Sequence, residues 1–400
     1  MEMKTMDART KTMLNKVPQI TVFFWIIKIL CTTVGETFAD FINFNIGLGL
    51  TVTTLIMGVA LMIALILQFK SIRYRPSIYW VTVVLLSVFG TLVTDNLTDN
   101  LGVPLEVSTI VFSILLGLTF LLWYISEKTL SIHSVFTLKR EAFYWLTILF
   151  TFALGTAVGD LYSEQLGFGY LYTGIGVSLI IAAIYIAFKY FKLNSILAFW
   201  MAYILTRPLG ASLGDLLSQP KANGGLGFGT TMTSIIFLVA ILGIIIYLAT
   251  SKIDRVESTN VATTTLNPQQ QKRVLFQTII VLALSLVLGV GGYSVRMHNI
   301  NQANHKVSFK SEMKQFAAIE SKLNDASKKQ DYNLASQKAD QLEHDWDKQE
   351  PKLRALDSKQ WTQVDVTIDR VLSAARDSHP STAKIASAVK HSQDVIHTLK

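Results

Sequence analysis

WIIKILCTTVGETFAD, residues 25–40, decides the fold, because the chain writes it four times. WVTVVLLSVFGTLVTD occupies 80–95, WLTILFTFALGTAVGD 145–160 and WMAYILTRPLGASLGD 200–215. A glycine stands ten residues after each tryptophan: Gly35, Gly90, Gly155 and Gly210. An aspartate stands fifteen after it: Asp40, Asp95, Asp160 and Asp215. Position eleven reads Glu36, Thr91, Thr156 and Ala211. Seven residues beyond the first three aspartates comes another glycine, Gly47, Gly102 and Gly167, and an insertion in QPKANGG delays the fourth, Gly227, by five. Agreement at so many fixed offsets is an internal repeat, and a repeat governs the architecture before any other signal.

Each copy reads as apolar span, short loop, apolar span. Half the 400 residues are hydrophobic and 16% are charged, with a mean hydropathy of +0.39. Stretches such as 52–67, 110–125, 172–188 and 235–249, with their flanks, reach the roughly 20 residues that cross a bilayer. The expected fold is therefore all-α. It is a polytopic membrane protein of eight helices, roughly 20–40, 48–68, 77–95, 105–125, 143–160, 170–188, 195–215 and 230–250. They form four parallel repeats, about 20–70, 77–127, 140–190 and 195–250, within a 20–250 core. A basic tail (1–19) precedes the core, and a polar linker (251–273) follows it. A ninth helix (274–296) then serves as an anchor, and 297–400 reads as a soluble helical domain.

Charge placement gives an orientation. Loops between copies hold Lys70, Arg73 and Arg75, then Lys128, Lys139 and Arg140, then Lys189 and Lys192, then Lys252 and Arg255; the only basic residue in the loops inside copies is Lys221. The positive-inside rule makes the first set cytoplasmic. The N-terminus is then cytoplasmic, the aspartates lie toward the outside, and nine spans leave the C-terminal domain extracytoplasmic. The repeats are parallel about an axis along the membrane normal. The first span carries GETFAD where a cleaved leader would carry small residues, so it reads as uncleaved. Cys31 is the sole cysteine, which excludes an intramolecular disulfide and a Cys-based metal site. The net charge of +8 bears on orientation and does not call for nucleic acid.

Offsets 3, 7, 11 and 15 share one helical face. They read Lys28, Thr32, Glu36, Asp40 in the first copy and Tyr203, Arg207, Ala211, Asp215 in the fourth. Such a face avoids lipid. Beside it run the small pairs Gly35/Ala39, Gly90/Thr94, Gly155/Gly159 and Gly210/Gly214, which let helices approach closely. The four odd spans are therefore expected to pack together and turn their aspartates toward one centre. Any single aspartate equally reads as a solvated span end. The tryptophans read as interfacial anchors, and Lys28 either snorkels or joins the centre. Arg207, two turns below Asp215 and next to Pro208, is expected to pair with Glu36 or a central aspartate.

The candidate ion- or substrate-binding set is thus Glu36, Asp40, Asp95, Asp160, Asp215, Arg207, Thr91 and Thr156, with Gly35, Gly90, Gly155, Gly159, Gly210 and Gly214 as packing residues. An oxygen-rich, net acidic centre suits a hard cation or protons and not a soft metal. Whether a metal binds stays open, and no cofactor is implied. The spans hold no HExxH, P-loop or GxSxG, and their sequence has no histidine pair, so an enzyme is not expected. Residues 298–400 are rich in Lys, Asp and Gln, with apolar residues at helical spacing in FKSEMKQFAAIESKL and VDVTIDRVLSAA, enough for three or four helices broken at HPST, where Ser381 or Thr382 can cap. LEHDWDKQEP reads as a solvated face before it reads as a metal-collecting one.

The four copies, led by KVPQITVFFWIIKILCTTVGETFAD, resemble the bacterial integral-membrane family built from four tandem copies of a two-helix repeat of unknown function, over about residues 16–250. LASQKADQLEHDWDKQEPKL with VDVTIDRVLSAA is similar to a small helical domain of uncharacterised membrane-tethered proteins of Gram-positive bacteria. The resemblances imply the topology and no substrate. The expected function is a cell-membrane transporter or exporter of a cation or small polar solute, with proton coupling as an option. The alternative is a non-transporting envelope sensor or scaffold that displays 297–400 to a cell-envelope partner. The expected partners are the lipid bilayer and a small ligand; the oligomeric state stays open.

Overall fold

The computed structural model of the chain describes residues 15–42, 48–219, 221, 224–254, 268–304, 308–377 and 379–399. Residues 1–14 of the basic tail, Gly47 and residues 255–267 of the linker lie outside them. The described chain is all-helical. The core helices are α1 (Val22–Asp40), α2 (Leu50–Lys70), α3 (Pro76–Asp95), α4 (Leu105–Glu127), α5 (Leu138–Asp160), α6 (Gly169–Tyr190), α7 (Ser195–Ser218) and α8 (Gly229–Ser251). Then come α9 (Pro268–Asn304), α10 (Phe309–Lys328), α11 (Tyr332–Ala375) and α12 (Thr382–Thr398). Among the described residues nine helices are long and apolar enough to cross a membrane, so the chain is a multi-pass membrane protein.

Starts are set locally. Thr21 and Thr137 accept the N–H groups of Phe24 and Arg140, Asn194 accepts those of Ile196 and Leu197, and Pro76 opens α3. The repeat's loop glycine turns the chain through the left-handed region, at φ +65° in Gly102, +64° in Gly167 and +77° in Gly227, where a side chain is strained. Before that turn, α3 and α5 run on through π-helical turns at Asn96–Asn100 and Leu161–Gln165. These extend the aspartate-bearing helices by another turn.

The odd helices α1, α3, α5 and α7 form a closed inner ring, each packed on the next and α7 on α1. The even helices form an outer layer with an unexpected partner. α2 packs on α3, α4 on α5, α6 on α7 and α8 on α1, so each outer helix serves the inner helix of the following repeat. The copies interlock and the last closes on the first. Lipid-facing burial follows: the outer spans are mostly exposed and the inner ones mostly buried.

The repeat glycines show how close the ring is. A Cβ on Gly90 would lie 2.7 Å from Phe152 Cβ. Added at Gly35, Gly155 or Gly210 it would overlap Ser87, Arg207 or Thr32. Each offset-ten glycine therefore faces the offset-seven residue of the next copy. Gly214 is tight, at 3.2 Å from Thr37 Cγ2, whereas Gly159 has 3.7 Å of room.

The tryptophans are not interfacial anchors. Trp80, Trp145 and Trp200 are buried with Phe24, Tyr79, Tyr144 and Tyr203 in an aromatic core that fills one end of the ring; only Trp25 is half-buried. Four bulky rings at one level are what an inner ring, not a lipid boundary, requires.

α9 has an almost fully exposed apolar window and touches the core near its ends. Gln277 Nε2 donates to Lys192 O (3.1 Å), Tyr162 Oη to Gly289 O (2.8 Å), and Arg296 Nε to Leu166 O (2.6 Å). It carries the chain from the basic-loop end to the aspartate end. There α10, α11 and α12 pack into a helical domain around Phe316, Trp346, Val364 and Ile385. α11 bends at Asp357, whose backbone leaves helical geometry and whose carboxylate re-caps the second half by accepting Gln360 N–H at 2.9 Å. HPST does separate α11 from α12; Ser381 holds the N-cap position with no side-chain cap bond.

Candidate functional site

The inner ring stacks the stripe residues in layers along its axis. At offset eleven lie Glu36, Thr91, Thr156 and Ala211. The fourth copy supplies an alanine there, and Arg207 from the layer below fills the space. Its guanidinium is fully buried. Nη2 donates to the Glu36 carboxylate, to Thr91 Oγ1 (2.6 Å) and to Thr156 Oγ1 (2.8 Å). Nε donates to Thr156 Oγ1 at 3.1 Å and Nη1 to Thr32 O at 3.4 Å. One arginine thus binds the same position in three other repeats and plugs the axis. Of the two partners the sequence leaves open for Arg207, the structure selects Glu36.

Below the plug lies Lys28. It is 1% exposed and does not snorkel. Its Nζ sits 3.8 Å from the Phe152 ring centroid and 4.2 Å from that of Tyr203, with no hydrogen-bond partner among the described residues. The aromatic core follows. The end is finished by residues outside the spans' repeat pattern: Lys16 pairs with Glu141 at 2.6 Å and donates to Phe69 O, Gln68 donates to Glu141 at 3.1 Å, and Tyr74 donates to Asp254 at 2.5 Å. The tryptophan end is closed.

Above the plug lie the four aspartates, one turn on from offset eleven. They do converge. Asp95 interacts electrostatically with Glu36, Asp160 and Asp40; Asp215 with Glu36, Asp40, Asp160 and Arg207; and Asp40 with Glu36 and Arg207. Asp215 is 5% exposed, and among the described residues nothing hydrogen-bonds or ion-pairs with its carboxylate. Glu36 interacts with all four aspartates, and its charge is already matched by Arg207. Among the described residues the four aspartates form no ion pair of their own.

Two acids escaped the sequence reading. Asp99 and Glu164 stand four residues after Asp95 and Asp160, in stretches read as loop. The π turns keep that stretch helical, so both acids join the cluster: Asp99 interacts with Asp40, Asp95 and Asp160, and Glu164 with Asp160 and Asp215. The readable signal was the spacing of four between acids, one further helical turn.

The C-terminal domain sits on this mouth. α11 packs against α9 and both π turns. A Cβ on Gly167 would lie 2.9 Å from Pro351 Cγ, and one on Gly102 3.1 Å from Thr362 Cγ2. Arg354 of α11 interacts with Asp99 and Glu164, and Glu350 with Asp99, Asp160 and Glu164. Within LEHDWDKQEP, Glu343 is held by Arg376 at 2.6 Å, and Asp347 faces Glu343, Glu350 and Asp369.

No curated protein and no solved structure matches the chain. Four consecutive segments, 23–74, 78–129, 143–193 and 198–254, match the family described as Repeat of Unknown Function (DUF347), one segment for each inner helix and the outer helix that follows it. With more than half its length in those copies, the chain belongs to the DUF347 repeat family.

Proposed function

We propose that the repeat core is a secondary transporter or exporter for a cation or a small solute bearing positive charge, with protons as the coupling species. The observation that carries this reading is the convergence of four aspartates above a plugged axis, one of them, Asp215, buried with no hydrogen bond or ion pair to its carboxylate among the described residues. Burying carboxylates without a counter-charge is costly, and inside a membrane protein such groups mark ion or proton paths. The opposite end is closed by Arg207, Lys28 and the aromatic core, so a ligand held at the aspartates would have to leave by the other end unless the ring rearranged. That is the arrangement alternating access needs. Asp40, Asp95, Asp160 and Asp215 would hold the ligand. Glu36 would answer its arrival by loosening Arg207. On the positive-inside rule, the closed end would face the cytoplasm and the aspartates the outside.

Proteoliposome flux tests the reading. Counterflow of alkali and alkaline-earth cations and of small amines, with a pH-sensitive dye inside, should register at least one species. Asp215→Asn and Asp40→Asn should each lower that flux at least tenfold. Unchanged flux in both removes the aspartates from the path.

A second reading, an envelope sensor or scaffold, is favoured by one observation: the C-terminal domain is docked on the core and not held away from it. Deleting 298–400 separates the two. A transporter core keeps its flux; a scaffold loses its phenotype.

A further inference from the structure

We propose that the C-terminal domain is a lid on the aspartate mouth, latched by Arg354 between Asp99 and Glu164, and that protons decide whether it stays shut. The purpose of the lid rests on the transport reading; its motion does not.

The contacts are those of a cover. α11 meets the π turns that follow the second and third aspartates, and Pro351 and Thr362 rest against Gly167 and Gly102 at 2.9 and 3.1 Å from where a Cβ would be. Entry to the aspartate layer from that end passes α11. Two arginines then bracket the aspartates: Arg207 beneath, Arg354 above. Arg354 is 8% exposed, pairs with Glu350 at 2.7 Å and lies 3.7 Å over the Trp361 ring. Its charge reaches across the joint to Asp99 and Glu164 and back to Asp365.

Among the described residues, the other charge interactions seen across the joint set acid against acid. Asp40 faces Glu343. Asp99 faces Glu350, Asp365 and Asp369. Asp160 and Glu164 face Glu350. On the lid side, Arg376 binds Asp340 and Glu343 and tempers Asp369 and Asp347. One arginine does not balance that many carboxylates, so the closed joint favours the neutral forms of the acids on the lid side. Asp369 reports it. Burial, then the charges of Asp99 and Glu343, push its carboxyl up to about 7 against the pull of Arg376. Asp365 and Asp347 are pushed the same way, mainly by burial. The closed state therefore binds protons that the open state releases. Closure is favoured below about pH 7 and weakens as pH rises through it.

The full chain in lipid nanodiscs decides the matter. In a Cys31→Ser background, Leu101→Cys and Lys359→Cys carry spin labels on opposite sides of the joint, both at exposed positions. The distance distribution at pH 5.5 should be single and short, and the long-distance fraction should rise at least fivefold at pH 8.5. Asp369→Asn should keep the short distance at pH 8.5. Arg354→Gln should raise the long fraction at both pH values. One distribution at both pH values overturns the lid; should Arg354→Gln not fold, the parent pH series still decides. Flux from the same preparation separates the two ideas. A moving joint without flux keeps the lid and removes transport, and flux across an immobile joint does the reverse.

Discussion

Replacing Glu36 by alanine strands a guanidinium in the middle of the ring. Arg207 is 0% exposed, and its other acceptors are all neutral: two threonine hydroxyls at 2.6–3.1 Å and one carbonyl at 3.4 Å. Breaking a buried pair by removing one partner costs about 3–5 kcal/mol, because the remaining charge has lost its compensation. Glu36→Gln keeps an acceptor for Nη2 and loses only the charge, so it should cost less, about 1–3 kcal/mol. Arg207→Met alone leaves the buried Glu36 carboxylate among the aspartates without its counter-charge. The double variant Glu36→Ala/Arg207→Met removes both charges and should recover most of the loss, giving a coupling of at least ~2 kcal/mol in the cycle. SDS-driven unfolding in mixed micelles, read by tryptophan fluorescence, measures all four species. Additive losses under about 0.5 kcal/mol of coupling would refute the argument that this pair closes the axis.

The other expectations are smaller and independent. Gly210→Ala should destabilise by about 1–3 kcal/mol, since its Cβ collides with Thr32, while Gly159→Ala, with 3.7 Å of room, should be neutral or gain a few tenths to ~1 kcal/mol in helix propensity; the same unfolding assay orders them. Lys28→Met should be neutral or stabilising by about 1 kcal/mol, because the ammonium has ring faces but no acceptor, and a drop in thermal stability above ~1 kcal/mol would contradict that. In the C-terminal domain, burial pushes the Glu320 carboxyl up to about 7 although Ser392 donates to it at 2.6 Å. A raised carboxyl favours the folded state at low pH, and that advantage is lost as pH climbs from its ordinary range through 7. Glu320→Gln should flatten the pH dependence of hydrogen exchange in α10 and slow exchange above pH 7 by an amount worth up to about 3 kcal/mol.

The ring was legible because its determinants recur. Glycine at offset ten and aspartate at offset fifteen each appear once per copy, and the structure gives every such glycine the same neighbour in the next copy. The pairing of outer helices with the following repeat was not legible. Apolar composition marks a helix as lipid-facing without naming its partner, and a short loop suggests a hairpin whose arms touch. Trp80, Trp145 and Trp200 misled for a related reason: an aromatic at a span end has the same sequence signature whether it meets headgroups or three other aromatics. Asp99 and Glu164 were hidden by a turn type. An ordinary stop after Asp95 or Asp160 would have put them in a loop, and the π turns keep them on the helix. The meeting of α11 with the aspartate end has no local signature, since it faces a surface assembled from the ends of three distant inner helices.

The departures from repetition carry the chemistry. Four identical chains around the same axis would place either four arginines or none at offset seven. Four guanidiniums in one buried layer would repel, and none would leave the offset-eleven threonines facing an empty axis. A single chain of four copies can place one arginine in the fourth, one acid in the first and hydroxyls in the other two, and the guanidinium then contacts all three. Ala211 completes the set: at the position where its own copy would otherwise crowd Arg207, it presents only a methyl group. The aspartates, by contrast, stay the same in all four copies and form no ion pair among the described residues. Internal asymmetry closes the axis at one level, and one turn above it the repeat returns to strict symmetry with an aspartate from every copy.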